Sequence, residues 1–405
     1  MKVLYISPDG MTDPLGQSQV IPYLNGLAEK GASITLLSLE KPERWQQGAT
    51  RIARSLHPSI DWQPVRYYRR PPLLAQWANT YRLYRRAAQL HRQKAFDFAH
   101  ARSYIGAWVA LRLKHRHGVP FLFDMRGFWA DERSDGNIWK RNHPLHRLIY
   151  NYFKKKEQQF LKEAKRIVSL THAARRWMAS HWQVPAAKME VIPCCVDLQH
   201  FSKLRTARIC TPQTPLRLIY LGSLGTWYLL DEMLRFFHYL RMQYPLASFL
   251  IVTREPQTLV EAACARLQIP IDGIEVRPAE RHEVPELLAG ADIGLFFIKP
   301  AFSKMASSAT KMGEMLACGL PVIANEQVGD HDFLFSTYSC GALLRSKPGK
   351  KPWTYCYEEH AFEEVVRQIP SLISTPPEVF RTVAQQYFSL EEGIERYWKV
   401  YQSMM

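Results

Sequence analysis

A serine-rich loop and the helix predicted after it hold the residues with the clearest chemistry. The stretch 303–325 reads SKMASSATKMGEMLACGLPVIAN, and Gly319, with a proline soon after it, predicts a helix that ends near Cys318. The polar residues at its start are Ser307, Ser308, Thr310 and Lys311. Free backbone N–H groups and the positive end of the helix dipole make such a loop an anion site. We therefore expect a diphosphate to bind here.

Glu314 lies one turn inside the same predicted helix. Its side chain tilts back toward the loop, where a carboxylate can accept hydrogen bonds from the two hydroxyls of a ribose while Lys311 holds phosphate. An acidic residue in a first turn also often does no more than stabilise the helix dipole. The residues alone leave both interpretations open.

Another loop of this kind follows the predicted strand Leu216–Leu221 and precedes the predicted helix Leu229–Tyr244. Gly222 and Ser223 open it. Backbone N–H groups at a glycine loop between a strand and a helix can bind a nucleotide phosphate, although the glycine spacing alone is weakly specific. We expect this loop to bind the nucleotide.

The chain begins with the same pattern. The apolar stretch Lys2–Ser7 predicts a buried parallel strand, followed by a polar loop, Met11–Gln19, and a helix from about Gln19 to Lys30. Ligands of open α/β sheets bind in loops at the carboxyl ends of strands. Gly16 would allow close approach of the backbone to a ligand and Gln17 would donate hydrogen bonds, or the loop is simply a tight turn with a helix cap.

A charged cluster follows the predicted strand Pro120–Asp124, with Arg126 two residues after Asp124 and the acidic Asp131 and Glu132 beyond. A guanidinium can stabilise charge on a leaving diphosphate but cannot be a general base, whereas a carboxylate can. The alternative is an internal ion pair between Asp124 and Arg126 that holds the loop in shape.

The segment Arg66–Lys94 has eight Arg or Lys and no acidic residue, and aromatic residues are interleaved with them. Leu74, Trp77, Tyr81 and Ala88 share one face of the predicted helix. A basic helix with an aromatic face is typical of contact with an anionic membrane surface. The competing interpretation is a core-facing stripe with a solvated basic face. A nucleic-acid partner is not expected, because no recognition motif accompanies the charge.

The composition limits the classes of protein. A chain of 405 residues with 47% hydrophobic residues predicts two domains, and its net charge of +16 favours anionic partners. It opens into a strand rather than a leader pattern and has no long apolar run, so we expect a cytoplasmic protein that is at most peripheral on the membrane. The seven cysteines lack metal or redox spacing and predict reduced thiols.

Two other arrangements carry weaker signals. Cys194 and Cys195 have no base paired with them in the sequence, so a cysteine nucleophile is not favoured. The spacing of Asp330 and Asp332 around His331 is one that metal sites use. We expect no metal and no cofactor other than the donor substrate.

The segment TKMGEMLACGLPVIAN, Thr310–Asn325, resembles the nucleotide-sugar signature of the retaining glycosyltransferases of family 4, and the order of motifs resembles theirs along nearly the whole chain. This resemblance implies the α/β GT-B fold, in which two Rossmann-like domains face each other across a cleft. Residues 1–200 would bind the acceptor and residues 201–385 the nucleotide sugar. Residues 386–405 would be a helix that crosses back to the N-terminal domain.

The resemblance also assigns residues. In those enzymes two glutamates often stand eight positions apart and the second contacts the ribose; Glu314 matches the second, and Ala306 replaces the first. A basic residue that pairs with the diphosphate often follows the glycine loop of the second domain. Trp227 and Tyr228 stand there instead. The remaining candidates for that cation are Arg254 and Lys311.

The resemblance implies transfer of a sugar from a nucleotide diphosphate sugar to a glycan or lipid-linked acceptor, with retention, in cell-surface polysaccharide or glycolipid synthesis. Arg126, followed by Gly127, occupies the place of a residue pair that faces the reacting sugar. Asp124, Arg126 and Glu314 are therefore the expected catalytic residues. No dedicated base is implied, since the leaving phosphate takes the acceptor proton in the mechanism commonly drawn for the family.

Three alternatives to a transferase differ in the residues that they need. A nucleotide-sugar epimerase of the same fold would need acids on both faces of the sugar. A catalytically inactive nucleotide-binding or glycan-binding partner is permitted by Ala306. A nicotinamide dehydrogenase is disfavoured, because neither glycine loop has the G-x-G-x-x-G pattern with an acidic residue about twenty positions later.

Overall fold

The chain forms two compact α/β units. They are seen in a computed structural model that describes residues 1–347, 353 and 355–405, with only the backbone of residues 72 and 73. The first unit consists of Met1–Pro193 together with Leu390–Met405, and the second of Cys194–Ser389.

The first unit is built on a seven-stranded parallel sheet with strand order β3-β2-β1-β4-β5-β6-β7. The strands are β1 (Lys2–Ser7), β2 (Ser33–Glu40), β3 (Ile60–Arg66), β4 (Phe98–Arg102), β5 (Phe121–Asp124), β6 (Arg166–Ser169) and β7 (Met189–Val191). Nearly continuous apolar runs form the central strands because helices cover both faces. The chain reverses its direction of travel across the sheet between β1 and β4, which is where ligands of such sheets bind.

Eight helices of the first unit precede β7. They are α1 (Pro14–Gln19), α2 (Ile21–Glu29), α3 (Pro42–Ser55), α4 (Pro72–Lys94), α5 (Ser103–His117), α6 (Trp129–Asp135), α7 (Pro144–Glu163) and α8 (His172–His181). A proline in the first turn of α1, α2, α3, α4 and α7 supplies a fixed φ where no backbone N–H donor is needed.

The prediction that Met11–Gln19 is a loop was partly wrong, since Pro14–Gln19 forms α1. Pro14 starts this helix, and Val20, with φ −126° and ψ −61°, separates it from α2. The basic stretch 137–165 is helical only from Pro144, where α7 begins, because a proline disfavours a helical residue before it.

The second unit has a six-stranded parallel sheet with strand order β10-β9-β8-β11-β12-β13. Its strands are β8 (Arg217–Leu221), β9 (Ser248–Val252), β10 (Ile274–Arg277), β11 (Ile293–Leu295), β12 (Val322–Asn325) and β13 (Gly341–Leu344). The order reverses between β8 and β11, so the loops after these two strands adjoin the same point of the sheet.

Helices flank this sheet as well. They are α9 (Leu230–Gln243), α10 (Thr258–Leu267), α11 (Val284–Ala289), α12 (Thr310–Ala317), α13 (His331–Thr337), α14 (Glu359–Val366), α15 (Ile369–Ser374) and α16 (Pro377–Phe388). The last helix, α17 (Leu390–Gln402), belongs to the first unit and packs on α2. Gly26 of α2 permits this packing, since a Cβ there would lie 2.3 Å from Ile394 Cδ1. The prediction of an α/β protein with two Rossmann-like domains is confirmed.

Candidate functional site

Hydrogen bonds hold both the loop before α12 and the C-terminal end of that helix. Ser308 Oγ accepts a hydrogen bond from the Cys194 N–H at 3.1 Å. At the other end of α12, Arg205 Nε donates to the carbonyl of Gly319 at 2.7 Å, and Arg381 Nη1 donates to that of Ala317 at 2.6 Å. Ser308 therefore positions the loop, whereas Ser307 and Thr310 are half-buried on it.

The N-terminus of α12 lacks a side-chain cap. Ala309 occupies the cap position with φ −81° and ψ 109°, and a methyl group cannot accept a hydrogen bond. The first N–H groups of the helix are therefore not satisfied by a cap, and an anion could accept from them.

Lys311 is a buried cation at the start of this helix. Only 7% of the residue is exposed, and its Nζ lies 3.6 Å from the ring centroid of Tyr228 and 4.1 Å from that of Tyr220. Among the described residues Nζ has no hydrogen-bond partner. Burial lowers the pKa of Lys311 well below its usual value, and the charge of Glu314 offsets only part of that effect. Within the described residues, the charge of Glu314 therefore compensates the burial of this ammonium only in part.

Gly222 brings the backbone of the loop after β8 up to Lys311. Its φ is +124°, and a Cβ on it would lie 2.9 Å from Lys311 Nζ. The backbone conformation therefore requires glycine at this position, and a Cβ there would displace the end of the Lys311 side chain. The carbonyl of Ser223 accepts a hydrogen bond from Tyr220, which orders the loop.

The Gly222 loop is not followed by a basic residue. The two aromatic residues that follow it instead contact lysines from another part of the chain. Tyr228 carries the Lys311 ammonium over its ring, and Trp227 carries that of Lys304, whose Nζ lies 3.8 Å from the ring centroid. Lys304 is also buried. The sequence prediction included Lys311 and missed Lys304, because nothing in the spacing shows that Lys304 meets Trp227.

Glu314 points its carboxylate toward a second cation. It is mostly buried, and its Oε1 lies 3.6 Å from Arg281 Nη1. Burial raises the pKa of Glu314, while Arg281 and Lys311 act to lower it. Arg281 was not a predicted site residue. The predicted Arg254 is instead exposed, with its Nη2 3.1 Å from Glu280 Oε1.

A second charged cluster lies in the first unit, at the carboxyl ends of β4 and β5. Asp124 is buried, and one of its carboxylate oxygens lies 3.5 Å from His100 Nε2 and 3.7 Å from Arg102 Nη1. The other lies 3.9 Å from Arg126 Nη1. Neither oxygen has a hydrogen-bond partner within the part of the chain that the structure describes.

The charges around Asp124 keep it ionised. Burial acts to raise its pKa, but Arg126, His100 and Arg102 together outweigh burial and hold the pKa below its usual value. Arg126 has φ +57°, so the turn that directs its side chain is a left-handed one. The structure therefore shows the internal ion pair that was the alternative interpretation of this motif.

His100 and Arg102 belong to the same cluster, although neither was a predicted site residue. Burial lowers the pKa of His100 despite the nearby Asp124. Its Nδ1 lies 2.8 Å from the hydroxyl of Tyr401 on α17. Arg102 Nε also lies 3.2 Å from Asp9 Oδ2. Their signal in the sequence was their place directly at the end of a predicted strand.

The loop after β1 is held by a buried carboxylate. Glu40 Oε1 accepts from the N–H of Met11 at 2.7 Å, and its Oε2 accepts from Thr12 Oγ1 at 2.7 Å. Gly16 packs against this loop, since a Cβ on it would lie 2.3 Å from the carbonyl oxygen of Gly10. Gln17 donates to the carbonyl of Thr12 at 3.1 Å, which uses its amide group locally.

Asp131 lies away from the Asp124 cluster. It is buried between α6 and α7, where it accepts hydrogen bonds from Tyr150 at 2.7 Å and from Lys154 at 2.8 Å. The expectation that it continues the charged loop failed because Trp129 already starts a helix.

The Asp330 and Asp332 pair is also used for local bonding. Asp330 accepts from the Tyr387 hydroxyl at 2.6 Å, and Asp332 accepts from the Gln327 N–H at 2.9 Å. In residues 1–347, 353 and 355–405 no group of three or more His, Cys, Asp or Glu side chains could hold a metal. All seven cysteines are free thiols.

Comparison with known proteins defines the class. Residues 19–200 match the family model of Glycosyltransferase Family 4. No curated protein matches the chain in sequence. The family match places the chain in the glycosyltransferase class of enzymes, on a domain that covers somewhat less than half of it.

Solved structures show the GT-B fold over the whole chain. Sucrose-phosphate synthase from Thermosynechococcus elongatus is 14% identical with a TM-score of 0.72, and the match covers 99% of this chain and 98% of that one. A glycosyltransferase from Rickettsia africae is 16% identical with a TM-score of 0.68, over 100% and 98% of the two chains. HepE from Anabaena in complex with UDP-glucose is 13% identical with a TM-score of 0.66, over 100% of both chains.

Proposed function

We propose that the chain transfers a sugar, with retention, from a nucleotide diphosphate sugar to a glycan or lipid-linked acceptor in cell-surface polysaccharide or glycolipid synthesis. The observation that carries the donor assignment is the Lys311 ammonium, buried at a helix N-terminus without a hydrogen-bond partner among the described residues. A diphosphate bound here would accept hydrogen bonds from the ammonium and add the negative charge that Glu314 supplies only in part. The UDP-glucose complex of HepE, which has the same fold, agrees with this donor class.

The proposed contacts divide the donor between two parts of the site. Lys311, the uncapped N–H groups of α12 and the Gly222 loop hold the diphosphate. Glu314 accepts hydrogen bonds from the ribose hydroxyls. Its weak pairing with Arg281, at 3.6 Å, leaves carboxylate lone pairs available for them.

The reaction breaks the bond between the anomeric carbon and the diphosphate oxygen and forms a bond from that carbon to the acceptor oxygen. The negative charge that develops on the leaving diphosphate is stabilised by Lys311 and the helix N-terminus. The acceptor proton passes to the leaving phosphate oxygen. Position 306 is a buried alanine and supplies no carboxylate to the donor sugar.

Asp124 and Arg126 contribute charge rather than proton transfer in this proposal. Asp124 is held ionised by three neighbouring groups, and a guanidinium does not act as a base. The cluster at the ends of β4 and β5 would orient the acceptor. Removing Asp124 would leave the guanidinium groups of Arg102 and Arg126 without its carboxylate, whereas removing Arg126 would leave Asp124 beside Arg102.

The N-terminal half of α4 supports contact with an anionic membrane. Leu74 is 70% exposed, and Trp77 and Tyr81 are each about half exposed, on a helix with no acidic residue. The exposure of these three residues does not fit the core-facing stripe that was the competing interpretation, whereas Ala88 on the same face is buried. No helix in the described part of the chain is long and apolar enough to span a membrane. We place the protein on the cytoplasmic membrane surface.

Membrane contact is tested by co-sedimentation with vesicles of anionic or zwitterionic phospholipid. We expect binding to the anionic vesicles only, and a large loss of it in the double variant Leu74→Ser with Tyr81→Ser. Ile209→Ser is the matched control, because Ile209 is 84% exposed in the second unit. Equal sedimentation of all three proteins would reject α4 as the contact.

The donor assignment is tested by Glu314→Gln, with Glu261→Gln as its control on an exposed helix of the same unit. We screen transfer and hydrolysis with UDP, GDP and ADP sugars and measure the affinity for each free nucleotide. We expect Glu314→Gln to lose affinity and turnover with one nucleotide class and Glu261→Gln to match the wild type. Unchanged turnover in Glu314→Gln would show that the ribose site is elsewhere.

A second candidate function is a nucleotide-binding partner without catalytic activity. The buried Ala306 favours it, because this position supplies no carboxylate. Such a protein would bind a nucleotide diphosphate in the same screen and release no sugar from any donor. Turnover of any donor would reject that candidate.

A further inference from the structure

A large apolar pocket in the first unit belongs to neither charged cluster. It has a volume of about 770 Å³ and lies among α4, α5, α6 and α7. Its main walls are the aromatic rings of Trp77, Trp108, Trp129, Trp139, Tyr152 and Phe153. Its size and its mainly apolar lining fall within the range of small-molecule sites.

The aromatic walls hold one another in place. Trp129 and Trp139 meet edge to face with ring centroids 5.3 Å apart, and Trp139 stacks on Phe153 at 5.8 Å. Across the pocket, Trp108 Nε1 donates to the Tyr152 hydroxyl at 3.0 Å. Because the walls of the pocket are already ordered, the protein loses little conformational entropy when a ligand binds.

The mouth of the pocket exposes apolar side chains to water. Trp77 is 47% exposed, and Leu145 and Leu148 on α7 are 44% and 68% exposed. Leu74 continues this apolar surface along α4. Contiguous exposed apolar groups around a cavity indicate a ligand or surface that covers them.

The charge around the pocket is mainly positive. Two of the segments that form it, 66–94 and 136–156, contain fourteen Lys or Arg and no Asp or Glu, whereas α6, which contributes Trp129 and Arg133, also carries Asp131, Glu132 and Asp135. Two of these cations, Arg69 and Arg133, line the pocket itself. Arg133 lies with its guanidinium carbon 4.3 Å from the Trp129 ring centroid, and its Nε has no hydrogen-bond partner in the described part of the chain.

We propose that this pocket binds one hydrocarbon chain of an anionic lipid, with Arg69 and Arg133 pairing with its phosphate. The apolar walls exclude water from the chain, and the surrounding cations select a negative head group. The pocket thereby narrows the acceptor to a lipid-linked one. That last step rests on the proposed transferase function, whereas the binding of the lipid does not.

The test uses dodecyl phosphate as a monomer below its micellar concentration, titrated calorimetrically into the full chain. We expect saturable binding of one molecule. Dodecyl maltoside, which has the same chain and no charge, should bind at least tenfold more weakly, and glycerol phosphate should not bind.

Two phenylalanine variants on α4 separate the pocket from the helix surface. Gln76→Phe places a ring inside the pocket and should weaken dodecyl phosphate at least tenfold, whereas Gln89→Phe, on an exposed position outside it, should bind as the wild type does. Arg133→Gln should reduce the preference for dodecyl phosphate over dodecyl maltoside. Circular dichroism and the thermal midpoint confirm that each variant is folded.

Several results would overturn the proposal. They are no binding of monomeric dodecyl phosphate, equal binding of dodecyl phosphate by Gln76→Phe and the wild type, or binding of the chain to anionic vesicles alone. Concentration-dependent dimerisation that Leu148→Ser abolishes would identify a second copy of the chain as the occupant.

The nucleotide screen separates this proposal from the transferase function: lipid binding without donor turnover would remove only the acceptor assignment. Donor turnover without lipid binding would remove only the pocket.

Discussion

Replacing Lys311 by methionine should change stability and nucleotide binding in opposite directions. Methionine has nearly the same shape, and it removes a buried ammonium that has no hydrogen-bond partner among the described residues. Leaving such a group buried costs about 1–3 kcal/mol, so the unliganded variant should be more stable than the wild type. A lysine that served only as a satisfied structural residue would give the reverse result.

The nucleotide effect follows from the loss of one charged hydrogen bond. Such a bond contributes about 1.5–3 kcal/mol, so the dissociation constant for the nucleotide should rise about 10- to 150-fold. A nucleotide at a hundred times its wild-type dissociation constant stabilises the wild type by about 2.7 kcal/mol. The same concentration should stabilise Lys311→Met by only about 0.3–1.4 kcal/mol.

The assay is the thermal midpoint with and without nucleotide. For a unit of about 200 residues, 1 kcal/mol corresponds to about 2–4 °C, so the wild type should shift by about 5–11 °C and the variant by less than about 6 °C. Lys203→Met is the control, because Lys203 is an exposed lysine of the same unit. An unliganded Lys311→Met that is less stable, with an unchanged nucleotide shift, would refute the reasoning.

Two further predictions concern backbone and pH. Gly222→Ala should lose about 1–2 kcal/mol of stability and bind nucleotide more weakly, because its φ is +124° and Lys311 Nζ is close. The control Gly225→Ala should show neither effect, because its Cβ would meet nothing within 4 Å. Chemical unfolding measures the stability of both variants, and nucleotide titration measures their affinity. Burial, opposed by Lys154, raises the pKa of Glu157 to about 7. The folded state therefore keeps this proton between about pH 4.5 and 7 while the unfolded chain releases it, and stability falls by about 3 kcal/mol as pH rises through that window. Glu157→Gln should remove this loss of stability, whereas Glu163→Gln on the same helix should not. Contacts led by His115 lower the pKa of Glu163 to about 2 despite partial burial, so Glu163 does not titrate in this window. Parallel stability–pH profiles of the two variants would contradict the assignment of the loss to Glu157.

The fold could be predicted because strand runs and glycine stops are local signals. Lys2–Ser7 is a strand with the predicted bounds, and Gly319 ends α12 as expected, with φ +73°. The segment Pro14–Gln19 was missed because a six-residue helix beside a glycine has little periodicity to detect.

The candidate site was predictable only where its residues share one stretch of chain. Lys311 and Glu314 stand three residues apart on one helix, so the sequence shows that they lie together. The approach of Arg281 to Glu314, and of Lys304 to Trp227, depends on which loops the sheet brings to one point. Spacing contains no signal for such contacts, and Arg254 was chosen in place of Arg281 for that reason.

The central claim is that Lys311 is the cation for the donor diphosphate. Because burial holds the pKa of Lys311 well below its usual value, a bound diphosphate should raise it, and the complex should take up a proton at pH values around that lowered pKa. We would titrate UDP-glucose calorimetrically in two buffers of different ionisation enthalpy at several pH values, since its diphosphate has no titrating group near neutrality. The account predicts proton uptake and an affinity that falls as pH rises, both absent in Lys311→Met and Lys311→Arg. Binding that is independent of pH and buffer, and unchanged in Lys311→Met, would contradict it.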